Sequence, residues 1–230
     1  GFAMFIHVPS RRRPAPPWAM PLLVVACMTV WIWLATGEPA ARGPFLQRWG
    51  TVPETLFAGG GFWDTVRDGR VLTLFSAVFV HADWLHLVGN MLFLVIFGVP
   101  SERALGPWRL LMLFLVCGAL SNLAAAWSLQ HTHAAVIVGA SGAISGVIGA
   151  YLALFPRAHL GFVVPLGLFL EFVRTPAPLL IAIWALLQLG FVWVGPAFGA
   201  VAWWAHLTGF VVGMVMALLW RPAVARRLRS

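Results

Sequence analysis

Lysine is absent from this 230-residue chain, where all 15 basic residues are arginine against seven acids, for a formal net charge of +8. Charged residues make up only 10% of the sequence and hydrophobic ones 61%, against about 25% and 45–50% in soluble domains. A soluble globular domain is thereby excluded. The chain has two cysteines, Cys27 and Cys117, both inside apolar runs, where a free thiol acts as a small hydrophobe; neither is read as a disulfide partner or a metal ligand. No HExxH is present, which removes that zinc-protease signature. No Asp, Glu or Arg is expected deep within any long apolar run, which argues against a voltage sensor, a carboxylate-driven pump and an aspartyl protease dyad.

What the sequence does hold is apolar runs at 18–35, 84–99, 108–129, 138–155, 178–194 and 201–220. A helix needs roughly 20 apolar residues to cross the hydrocarbon layer. Several of these runs begin or end in Trp, as interfacial anchors do. With no alternating ten-residue pattern, backbone groups in lipid are satisfied by helices rather than barrel strands. The expectation is an all-α membrane protein with six transmembrane helices in one domain (18–220), a cytoplasmic N-terminal segment (1–17) and a basic cytoplasmic tail (221–230).

Arginines concentrate at the ends, at Arg11, Arg12 and Arg13, then at Arg221, Arg226, Arg227 and Arg229. They flank apolar segments, so positive-inside retention explains them and no nucleic-acid partner is expected. Arg103, Arg157 and Arg174 follow the second and fourth runs, while 130–137 and 195–200 lack Arg. Both termini are therefore placed in the cytoplasm. The first loop, 36–70, is too long for a plain connector and rich in Gly, Pro and aromatics, which predicts a structured element at the interface. The absence of lysine and of any sizeable extramembranous domain suggests a bacterial inner membrane.

Polar residues within the runs are the functional candidates. In the second, His86 and Asn90 stand four apart and project from one helix face, with His81 just before. In the fourth, Gly139 and Gly142 flank Ala140-Ser141, opening an unshielded helix N-terminus whose N–H groups and dipole favour a developing negative charge. In the sixth, His206 precedes Gly209 and Gly213, a GxxxG pair suited to press on the Gly142 and Gly146 face of the fourth. Taken singly, each pattern also fits plain helix packing. Serine plus imidazole is the minimum for nucleophilic acyl transfer, and without a buried carboxylate it forms a dyad.

Together, HxxxxHxxxN at His81, His86 and Asn90, GASG around Ser141 and AHxxG around His206 resemble the rhomboid intramembrane serine proteases, over about residues 69–220 and including Glu102 between Gly98 and Gly106. The resemblance implies Ser141 as nucleophile and His206 as general base, with an oxyanion hole from His86, Asn90 and the Ser141 N–H. His81, Gly139, Gly142 and Gly209 support them. It implies transmembrane-helix protein substrates met in the lipid bilayer, no metal and no cofactor, and a mobile gate at 178–200. Many members carry an aromatic ring four residues after the serine, packed on the catalytic histidine; here that residue is Ser145. Trp203, Trp204 and Tyr151 are the aromatic candidates to take its place. The Trp-Arg pair often found in the first loop is replaced by Leu72-Thr73.

Overall fold

A computed structural model describes residues 16–166, 169–194 and 203–229, with side chains placed in 16–158, 176–186 and 205–229. Arg11, Arg12 and Arg13, the loop 195–200 and the side chains of Trp203 and Trp204 lie outside the described residues. Helix α1 (Ala19–Thr36) leads into α2 (Pro39–Trp49), α3 (Pro53–Leu56), α4 (Phe62–Arg67) and α5 (Thr73–Ser76). The long helices α6 (Trp84–Leu105) and α7 (Pro107–Ser128) follow, then α8 (Ser141–Leu154). Strands β1 (His159–Leu166) and β2 (Phe169–Pro176) pair antiparallel from His159 opposite Pro176 to Leu166 opposite Phe169. Helices α9 (Ala177–Val194) and α10 (Trp203–Arg229) complete the chain. The architecture is an all-α membrane bundle, with this hairpin between α8 and α9.

Among the described residues, four helices, α1, α6, α7 and the 205–229 stretch of α10, are long and apolar enough to cross a membrane. Their apolar residues face outward as well as inward: Val25, Leu92, Trp108 and Leu219 are all more than half exposed. A helix apolar all round belongs in lipid, so the protein is an integral membrane protein. The first loop is built of short helices, with Trp49, Phe62 and Trp63 exposed.

Helix α8 is only 14 residues long and sits at the centre, with every residue from Gly142 to Tyr151 buried. It packs against α10, α7 and α6. Its small residues let α10 approach to backbone contact: Gly209 meets the Gly142 carbonyl, Gly213 meets that of Gly146, and Gly149 meets that of Phe210. No side chain fits between these backbones, which is the physical use of small residues at such crossings.

The structure moves three predicted boundaries. Helix α8 starts at Ser141, since Gly139 has a left-handed φ of +112° that ends the preceding extended stretch. Helix α10 runs to Arg229, so the tail expected after Trp220 continues the last helix. Helix α6 runs on to Leu105 through Pro100, so Glu102 is in its final turns and not in a loop. There Glu102 is 1% exposed, a buried acid the apolar-run reading missed. Its carboxylate accepts the backbone N–H groups of Ala19 and Met20 at 2.8 and 3.0 Å. The unpaired donors at the start of α1 are thus satisfied by a charged acceptor from α6.

Candidate active site

The segment before α8 is held extended by backbone bonds on both sides. Thr51 and Ile137 exchange N–H···O bonds of 2.9 and 2.8 Å, and the Gly139 N–H donates to the Ala77 carbonyl at 2.9 Å. The Thr51 hydroxyl donates in turn to the Thr73 carbonyl at 2.9 Å. First loop and α8 are thereby fixed together, and Ser141 emerges as the first residue of the helix, where backbone N–H groups lack intrahelical partners.

Across from it, α10 carries His206, which is 6% exposed. The Ser141 hydroxyl and His206 Nε2 are hydrogen-bonded at 2.9 Å; in the neutral tautomer protonated on Nδ1, the hydroxyl donates and Nε2 accepts. The backbone contact of Gly209 with Gly142, one turn below, sets this distance. From α7, the Ser121 hydroxyl donates to the Ala205 carbonyl at 3.0 Å, pinning the residue before His206. Beside it, Asn122 Nδ2 donates to the Leu74 carbonyl at 2.8 Å. Neither was picked out from sequence, although a buried Ser-Asn pair inside an apolar run was the available signal.

The third group lies at the start of α6. Asp83 caps this helix by accepting the His86 backbone N–H at 2.7 Å, an N-cap worth about 1 kcal/mol. His81 Nε2 faces two donors, Asn90 Nδ2 at 3.0 Å and the Ala140 N–H at 3.4 Å. It therefore accepts, and one imidazole ties α6 to the residue before Ser141. His81 precedes the α6 span; burial, then the neighbouring His86, lowers its pKa from 6.5 to about 3 and keeps it neutral. The rings of His81 and His86 meet edge to face at 5.3 Å. His86 in turn lies over Gly139.

Ser141, His206, His86 with Gly139, and His81 with Asn90 are thus gathered at one end of the bundle. The opposite end collects Trp18 against Trp108, at 4.8 Å between ring centres, and Arg227 beside Gly106. Ser145 places no ring near the histidine; its hydroxyl turns back to the Ser141 carbonyl at 2.7 Å. Tyr151 packs on Phe97 and Phe155 instead. Among the described residues, the ring found against His206 belongs to Trp184 of α9, with centres 6.1 Å apart.

This arrangement has relatives. The chain is 29% identical over 154 residues to the rhomboid protease GlpG of Haemophilus influenzae, covering 66% of this chain and 71% of that protein. It is 34% identical over 117 residues to RHOMBOID-like protein 6, mitochondrial, of Arabidopsis thaliana, 50% of this chain and 36% of the relative. To Rhomboid protein 1, mitochondrial, of Saccharomyces cerevisiae it is 27% identical over 162 residues, 68% of this chain and 44% of the relative. The match thus spans less than half the length of these plant and yeast proteins. The Rhomboid domain family matches residues 68–223, from the end of the first loop through most of α10. With that match covering most of its length and every motif named above, the chain belongs to the rhomboid family.

Proposed function

We propose that this protein is an intramembrane serine endopeptidase, hydrolysing peptide bonds in or near the transmembrane segments of membrane-protein substrates by a Ser141–His206 dyad. The observation that carries the reading is the 2.9 Å hydrogen bond between the Ser141 hydroxyl and His206 Nε2, a nucleophile and base already within proton-transfer reach. Family membership and similarity to a bacterial protein named as a rhomboid protease support it.

In this mechanism Ser141 Oγ attacks the scissile carbonyl carbon as its proton passes to His206 Nε2. The carbonyl oxygen becomes an oxyanion, met by the Ser141 N–H at the start of α8, Asn90 Nδ2 and His86. His206 then gives its proton to the leaving amine, and the peptide is left as an ester on Ser141. Water, deprotonated by the same Nε2, hydrolyses the ester and regenerates the serine. Asn90 has two amide hydrogens, and its bond to His81 uses one, leaving the other to turn toward the oxyanion.

The topology that goes with this reading is six crossings, with both termini in the cytoplasm of a bacterial inner membrane. Supporting it, the site and the arginine-bearing C-terminal turns of α10 lie at opposite ends of the bundle. Purified protein, given a model single-span substrate in liposomes, should release two fragments. Ser141→Ala and His206→Ala should each abolish release while leaving the thermal unfolding transition in place, and cleavage by Ser141→Ala at the wild-type rate would sink the mechanism.

A further inference from the structure

Among the described residues, His206 is held by a hydrogen bond at one nitrogen only. Its Nε2 meets Ser141, whereas Nδ1 is buried with no hydrogen-bond partner among the described residues. A single bond along the Nε2 direction does not by itself fix the plane of the imidazole, so packing must do so. Ser145, one turn on from Ser141, offers its own hydroxyl to a backbone carbonyl and gives the ring no flat surface. Trp184 supplies one: the two ring centres are 6.1 Å apart with planes inclined at 52°, inside the 4.5–7 Å range of aromatic pairing.

Trp184 is itself firmly seated. It is 7% exposed and shares a buried face of α9 with Ala177 and Ile181, spaced at one-turn intervals, while Leu179, Ile183 and Leu186 face outward. The buried face joins the same core as Ile144, Val147 and Ile148 of α8. The indole therefore stands against His206 because α9 packs on both α8 and α10.

We propose that Trp184 is a positioning residue for the catalytic base, its indole holding His206 in the rotamer that reaches Ser141, so that the seating of α9 sets the readiness of the dyad. This inference rests on the serine-protease reading above. It assigns to the fifth of the expected spans a contact with the base that the fourth, carrying Ser145, does not make.

The test compares Trp184→Phe and Trp184→Met with the wild type, both replacements keeping an apolar side chain of similar reach in the core. Two quantities are read: kcat and KM for a model single-span substrate, and the rate at which a fluorophosphonate labels Ser141, which needs the base but no transmembrane substrate. Loss of an aromatic pair predicts that Trp184→Met lowers kcat and the labelling rate together by about three- to tenfold, with KM within about twofold. Trp184→Phe should keep most of both rates. Labelling of Trp184→Met at the wild-type rate, equal losses in the Phe and Met variants, or a change confined to KM would each overturn the proposal. If Trp184→Met does not fold, a folded Trp184→Phe that labels more than about tenfold slower than wild type overturns it equally. Ser141→Ala, run in parallel, separates the two claims: residual cleavage there refutes the serine mechanism, whereas an inert Ser141→Ala beside a fully active Trp184→Met refutes only the role of Trp184.

Discussion

Gly139 and His86 compete for one space: a methyl group on residue 139 would lie 2.7 Å from His86 Cε1, closer than carbon atoms pack. The same glycine has φ of +112°, a backbone conformation that side chains disfavour. Gly139→Ala should therefore push His86 aside and strain the turn that delivers Ser141, at a cost of about 1–3 kcal/mol for the backbone alone. The expected outcome is a folded protein of lowered melting temperature with cleavage reduced at least tenfold; wild-type turnover would show that His86 has no fixed place in the reaction.

Asn90 donates one amide hydrogen to His81, and the proposed mechanism assigns its other one to the oxyanion. Asn90→Ala should slow cleavage by about ten- to a thousandfold, the range for removing one oxyanion donor, with little change in KM. A loss of twofold or less, measured as kcat on the same model substrate, would take Asn90 out of the oxyanion hole.

Glu102 joins the first and second long helices through two charged hydrogen bonds to Ala19 and Met20. Hydrogen bonds to charged groups contribute about 1.5–3 kcal/mol each, and unpaired buried N–H groups add a penalty. Glu102→Ala should lower the melting temperature in detergent markedly, and Glu102→Gln, which still offers one carbonyl acceptor, should fall between it and the wild type. An unchanged transition in Glu102→Ala would mean that water replaces the carboxylate without cost.

Gly209 touches the Gly142 backbone and the Ser121 hydroxyl. A leucine at this position has no room, so Gly209→Leu should force α10 off α8, separate His206 from Ser141 and abolish both cleavage and fluorophosphonate labelling. Retention of either activity in a folded variant would disprove the tight crossing.

Acid should weaken the fold through His81. Its pKa is lowered from 6.5 to about 3, chiefly by burial, so between those values the unfolded chain binds a proton that the folded one refuses. Stability is then complete above about pH 6.5 and falls as pH drops toward 3, by at most about 1.4 kcal/mol per unit. Replacing His81 by Gln removes this group, and unfolding midpoints followed from pH 7 to 4 should show a shallower slope in His81→Gln; parallel curves would assign the acid sensitivity elsewhere.

Much of this protein was legible before its fold. The six apolar runs fall on helices because apolarity and the need to satisfy backbone groups in lipid are local properties, read residue by residue. Ser141, His206, His86, Asn90 and His81 stood out because polar groups in such runs are few and costly. The GxxxG spacing likewise announced a close helix crossing. Helix ends were less legible: α6 and α10 run past the last strongly apolar residues, since a helix stops where its hydrogen bonding stops, not where hydropathy falls.

The sequence by itself determined that the chain is a helical membrane bundle and singled out the few polar side chains to which the proposed chemistry is assigned, since composition and periodicity act over a helical turn or the thickness of a bilayer. Only the tertiary structure decided that Glu102 caps α1 from 82 to 83 residues away, that Ser121 anchors the carbonyl beside His206 across 84 residues, and that Trp184 stands against the histidine. These are contacts between helices whose order in sequence says nothing of their packing, and they form only when backbones have closed to van der Waals distance.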